Sequence, residues 1–160
     1  MKKVTLILLA LFVLYVAYLY ITGRRETFII PKGYEGVLLI IGNQKDGIEI
    51  NKNHAIYDFT KSNIIKLKGD LITGFSPWGY LNYYEVDGNG KREKLETINE
   101  PPETVIENNK IYVWSYYFEI GNCNDVNYET IIISKKTTTD KIWTEKERLV
   151  NQEVCNKKAP

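Results

Sequence analysis

His54 is the only histidine in the chain, and Cys123 and Cys155 are its only cysteines. A single imidazole cannot build a histidine-rich metal site, and neither HExxH nor a paired CxxC occurs. A Cys–His couple with Cys123 or Cys155 would be a nucleophile arrangement; a solvated turn between Asn53 and Ala55 is the plain alternative for His54. Ser62, Ser76, Ser115 and Ser134 are the serines. None lies in GxSxG, so the nucleophile elbow is absent. Asp87-Gly88-Asn89-Gly90 suggests a calcium loop, but Lys91 and Ile98 stand where such a loop needs an oxygen ligand and a glutamate. The four residues read instead as a hairpin turn. Glu93, Glu96, Glu100 and Glu103 gather at the hairpin end. Paired acids can cleave glycosidic bonds, yet nothing in their spacing sets a pocket, and a solvated strand face is the simpler reading. No catalytic residue, metal or cofactor is assigned, and the expectation is a protein that is not an enzyme.

Two features point to recognition or compartment. Phe75-Ser76-Pro77-Trp78-Gly79-Tyr80 is a turn that carries Trp78 between two aromatics. Phe75, Trp78 and Tyr80 form a candidate stacking surface for a sugar or peptide, or else a loop folded over the core. Cys123 and Cys155 are expected to pair in an oxidising compartment and to be buried thiols in a reducing one. Pairing would close a loop of roughly 33 residues, worth about 3.5 kcal/mol on the chain-entropy estimate.

These residues need elements to position them. Val4–Ile21 is an apolar run broken only by Thr5, with Lys2 and Lys3 before it and Arg24 and Arg25 after. At about 1.5 Å per residue it reaches roughly 27 Å, enough for a bilayer core. Tyr15, Tyr18 and Tyr20 crowd its C-terminal half as an interfacial belt would. No small-x-small cleavage site follows, and no cysteine follows the run as a lipidation site would require. Residues 1–25 read as an uncleaved signal anchor, and residues 26–160 as one extracytoplasmic domain. That domain holds 17 basic and 20 acidic residues, a net charge of −3. The absence of a basic stripe argues against nucleic acid.

Within the domain, strands are predicted over Thr27–Pro31, Val37–Ile41, Ala55–Phe59, Ile64–Leu67, Leu71–Ile72, Gly79–Val86, Lys91–Ile98, Ile111–Ile120 and Tyr128–Ser134. Val37–Ile41 is apolar throughout, so both its faces should be buried. Ile48 and Ile50 alternate with Glu49. Tyr112, Trp114, Tyr116, Phe118 and Ile120 form one continuous apolar face. A helix capped by Thr139 or Asp140 should bury Ile142, Leu149, Val150 and Val154. The predicted fold is mainly β: an antiparallel sandwich or barrel-like domain with a C-terminal helix, preceded by one transmembrane helix.

FIIPKGYEGVLLIIGNQKDG, AIYDFTKSNIIKLKGDL and GYLNYYEVDGNGK together resemble an uncharacterised family of short exported bacterial proteins with an IPxGYxG motif. The matching positions are Phe28, Pro31, Gly33, Tyr34, Gly36, Tyr57 and Tyr83, over residues 27–95. The resemblance implies export and a β-sandwich-like domain, and supplies no activity. Such families often contain lipoproteins, from which the missing lipidation cysteine departs. The functional expectation is a single-pass membrane protein whose outer domain binds an envelope protein, peptide or glycan. The alternative is a small envelope hydrolase whose site forms only in three dimensions.

Overall fold

The computed structural model describes residues 2–22, 25–51, 54–71, 80–104 and 107–155, with some helix and strand positions described by backbone alone. Helix α1 (Lys2–Thr22) takes up the apolar run. Its Leu8, Leu9, Leu11, Phe12, Val13, Leu14, Tyr15 and Tyr18 are 57–65% exposed. Five consecutive positions, 11–15, point all round a helix that turns every 3.6 residues, so this stretch is uncovered on every side. Among the described residues, no helix is long and apolar enough to cross a membrane.

Among the described residues nine strands follow: β1 (Arg25–Pro31), β2 (Gly36–Ile41), β3 (His54–Asp58), β4 (Ile64–Lys66), β5 (Tyr80–Val86), β6 (Arg92–Lys94), β7 (Glu96–Ile98), β8 (Ile111–Cys123) and β9 (Val126–Lys135). They form two open sheets, ordered β3-β1-β5-β6 and β4-β2-β9-β8-β7, rather than a closed barrel. The purely antiparallel expectation is corrected. β1 pairs in parallel with β3 and β5, β2 with β4, and β7 with β8. The cause is the chain path. From β1 to β5 the strands alternate between the sheets, so each return to a sheet follows an excursion through the other and arrives in the same direction.

The layers follow from side-chain phase. Phe28 stacks between Tyr57 and Tyr83, with ring centroids 4.9 and 4.6 Å away. This aromatic row meets Leu38, Ile40, Val113, Ile131 and Ile133 of the second sheet. On that sheet's other face, Val37, Leu39, Ile41, Trp114 and Ile132 pack beneath helix α2 (Thr139–Val150) and the wider turn Asn151–Cys155. Val37–Ile41 is buried on both faces, as the unbroken apolar run requires. Thr138 occupies the N-cap position, one residue ahead of the expected Thr139 or Asp140, but makes no capping hydrogen bond, because a short turn at Lys136–Thr138 leads into the helix and the Thr138 hydroxyl goes to Glu35.

Two predicted strands and the alternating Ile48–Ile50 segment change. Lys91–Ile98 splits at Leu95, so that β6 stays with β5 and β7 joins β8. Ile48 makes only an isolated bridge to Leu67. Leu71 is buried but lies outside any strand, and Ile72 falls outside the described residues. In β8 the continuous apolar face is broken. Trp114 pairs with Ile132 but Glu119 pairs with Thr130, so five steps on β8 oppose two on β9. The three extra residues invert the side-chain phase. Phe118 therefore joins the inter-sheet core, and Ile120 is 48% exposed.

Thr130 is fully buried beside this bulge, and its Oγ1 has no hydrogen-bond partner among the described residues. Thr130→Val keeps the branched shape and removes the unpaired hydroxyl. It is expected to raise unfolding stability by about 1 kcal/mol in urea titrations of the detergent-solubilised chain. A loss of similar size would show that the hydroxyl is bonded.

Candidate functional site

The split at Leu95 opens a concavity between the two sheets. Its backbone N–H donates to Tyr83 O at 2.9 Å, its side chain is buried, and the next residue, Glu96, already pairs with Tyr112 in the second sheet. Between edge strands β6 and β7 this crossing leaves a cleft of about 720 Å³. Leu81, Leu95 and Ile111 supply its apolar lining, and Glu85, Glu93, Glu96, Lys94 and Lys110 its charges. A second hollow of about 430 Å³ shares Glu96 and Thr97 and continues to Glu100, Glu107 and Tyr112.

The charges at the cleft are largely matched. Lys91 and Lys32 approach Glu93 at 2.6 and 3.3 Å. They hold its carboxyl below the usual range, Lys91 contributing most. Lys110 lies 2.6 Å from Glu96, which raises the lysine's pKa, and 5.6 Å from the centre of the Tyr112 ring. Burial pushes the Tyr112 phenol up. A general acid working near neutrality needs a carboxyl raised by its surroundings. The carboxyls of Glu35, Asp58, Glu93 and Glu119 are instead held below their ordinary range, each chiefly by a hydrogen bond from a neighbouring lysine or threonine. Such a lining offers apolar contact and charge recognition.

The residues singled out in the sequence fall in different places. Glu93, Glu96 and Glu100 line the two hollows, while the Glu103 side chain lies outside the described set. Phe75 and Trp78 lie outside the described residues; Tyr80 opens β5. His54 is exposed at the start of edge strand β3, on the sheet opposite the cysteines. The Asp87 carboxylate accepts from the backbone N–H of Asn89 and Lys91 at 2.9 and 3.0 Å. Gly90 adopts φ +81°, so this is a turn held by its own aspartate. No group of three or more metal-binding side chains occurs among the described residues. Cys123 and Cys155 are brought together as a disulfide-compatible pair, with Cα atoms 5.2 Å apart.

The IPxGYxG residues form a joint between the sheets. Gly33 supplies φ +74° in the turn closed by Tyr34 N to Pro31 O at 3.1 Å. The Tyr34 hydroxyl donates to Val37 O at 2.9 Å, and burial pushes its pKa up to about 12. A Cβ at Gly36 would sit 2.6 Å from that hydroxyl, so the ring needs the glycine. Glu35 ties the turn to the β9–α2 junction, accepting from Lys135 Nζ and Thr138 Oγ1, each at 2.7 Å.

A second polar cluster escaped the sequence reading. Lys146 is 2% exposed beneath α2, ion-paired to Glu119 and placed 3.7 Å over the Trp143 ring. Tyr128 donates to Glu119 at 2.9 Å, and burial pushes its phenol up to about 12. The signal was present: Ile142, Lys146, Val150 and Val154 recur every four residues, so the lysine falls in the buried row. The apolar cleft residues carried no such signal, because Leu81, Leu95 and Ile111 come from three separate segments.

Residues 22–148 match a protein family of unknown function, DUF6843. The chain belongs to this family. No curated protein matches the DUF6843 chain. A crystal structure of a candidate lipoprotein from Bacillus anthracis aligns with 82% of this chain and 97% of its own, at 14% identity and a TM-score of 0.46. A likeness of that size carries no argument about function.

The lowered carboxyls define an acid limit. Lys135 is the main cause of the shift at Glu35, and Lys146 at Glu119. Their ionised forms favour the fold, so this stabilisation is fully present above the unfolded carboxylate pKa and is lost as pH falls through the folded values. Unfolding free energy is expected to be flat near neutrality and to drop below about pH 4. Glu35→Gln should cost about 1–2 kcal/mol at neutral pH and shallow the acid drop. An unchanged acid profile in Glu35→Gln would exclude the carboxylate as a contributor.

Proposed function

We propose that this protein is a membrane-anchored, extracytoplasmic binding module that holds an extended segment of another envelope protein in the cleft between β6 and β7. The observation that carries the reading is the chain crossing at Leu95. It leaves an apolar-lined cleft between two open sheet edges, where an extended peptide can lie beside strands. Apolar side chains would rest on Leu81, Leu95 and Ile111. A basic side chain would reach Glu100 and Glu107, which are exposed beside the second hollow. Peptide is favoured over glycan because the described lining offers aliphatic and charged groups rather than a stacking platform. The hydrolase alternative would need a carboxyl held protonated at the cleft, whereas Glu93 is held ionised by Lys91 and Lys32.

Anchoring is supported by the 18-residue apolar run in the sequence and by the uncovered side chains of α1, which no packed layer shields from water. Lys2 and Lys3 ahead of the run favour a cytoplasmic N-terminus. The Cys123–Cys155 juxtaposition suits an oxidising exterior, where the two would be bonded.

For topology, a C-terminal alkaline phosphatase fusion is expected to be active, and intact-mass analysis to find the N-terminal helix retained with both thiols blocked. An inactive fusion with two free thiols would place the domain in the cytoplasm. For the cleft, a photo-crosslinking residue at Thr97 should capture a partner in intact envelopes, whereas one at Lys141 on the exposed side of α2 should not. Equal capture at both positions would remove the cleft from the proposal.

A further inference from the structure

We infer that the start of the first sheet is a lipid-contact surface, where Arg25 and His54 rest on anionic headgroups of the bilayer that holds α1. The inference rests on the anchored reading above. Its first support is chain continuity. Helix α1 ends at Thr22 and β1 begins at Arg25. Three Cα steps of about 3.8 Å cannot exceed about 11 Å, so Arg25 stays close to the helix end whatever path the chain takes. The second support is register. Arg25 pairs in parallel with His54 on one side and with Tyr80 on the other, so three strand starts share one row. Neighbouring strands lie about 4.8 Å apart, which keeps His54 within the same short distance of the membrane.

Side-chain phase decides what this row presents. Phe28 faces the inter-sheet core, three residues beyond Arg25, so Arg25 and its register partner His54 project from the outer face. Both are exposed. Glu26, the nearest acid on β1, turns to the opposite face, and the Asn51 Oδ1 accepts the His54 backbone N–H at 3.4 Å. Two residues along the same outer face, Ile56 is 57% exposed. A fixed cation and a titratable imidazole beside an uncovered aliphatic side chain suit a headgroup boundary better than free phosphate in solution.

His54 is the chain's only histidine, so its ring gives one unambiguous NMR titration. The test uses the full chain in nanodiscs of phosphatidylcholine, with or without phosphatidylglycerol. The negative surface should raise the His54 midpoint by about half a pH unit in the anionic discs. The difference should collapse at about 1 M salt, where the screening length is about 3 Å. Arg25→Glu should shrink the difference between the two disc types, because the row would no longer settle on an anionic surface. Equal midpoints in both discs, with the chain still co-purifying with them, overturn the lipid contact and leave the anchor standing. A chain that enters neither disc overturns the anchor and this inference together.

Discussion

The half of the domain that faces α2 depends on the three surplus residues in β8. Between Trp114 and Glu119 the strand advances five residues while β9 advances two. An odd surplus reverses which side chains face each layer. Before the bulge, Tyr112 and Trp114 point toward α2; after it, Glu119, Gly121 and Cys123 do. Without the reversal, Phe118 and Ile120 would meet the helix, Glu119 would enter the aromatic core, and Asn122 would stand where Cys123 reaches Cys155. One local irregularity thus sets the partner of Lys146, the bed for the Tyr128 ring over Gly121, and the tether of the tail.

That side of the fold is also where polar groups are buried at a cost. Taking an ammonium out of water is expensive unless it is paired. Lys146 meets the requirement with Glu119, Glu147 and the face of Trp143. Glu119 is partly exposed, so the cluster remains half in water and its Coulomb gain is moderated. Its value lies more in direction than in strength. A lysine in the buried row of α2 can be accommodated only where a carboxylate faces it, and this fixes the helix against the lower part of β8. The hairpin turn at Asn124 and Asp125, with φ of 51° and 64°, then brings Cys123 to the same end of the layer.

Burial was more legible in the sequence than pairing. Val37–Ile41 announced a doubly covered strand because five apolar residues in a row leave no face for water. The Asp87–Gly90 turn was legible because few residues other than Gly, Asn and Asp accept positive φ. The parallel pairings were not, since a period of two residues is the same in parallel and antiparallel ladders. The break at Leu95 was hidden for a related reason: Lys91–Ile98 alternates well enough for one strand, and only the position of the second sheet divides it. The Cys123–Cys155 pairing was expected from the count of two cysteines in a domain placed outside the cell, yet the inversion that turns Cys123 toward the tail has no mark in the residue pattern. The cleft was half visible, through its acids, while Leu81, Leu95 and Ile111 fell in three separate predicted strands with nothing to join them.

The residues that carry the family resemblance all have structural tasks. Pro31 and Gly33 close the inter-sheet turn, Tyr34 needs the space above Gly36, and Phe28, Tyr57 and Tyr83 form the stacked row at the core. A motif of this kind transmits a fold, and a fold does not fix an activity. The cleft lies elsewhere, beside the short edge strands β6 and β7 and the segment that leads to Lys110, and it shares Leu95 with the inter-sheet core. The same division runs along β1. Its distal end joins the sheets through Pro31, and its proximal end follows the helix by two residues. The one strand therefore connects the N-terminal helix to the joint between the sheets, and the turn held by Glu35 links that joint to the layer that carries α2.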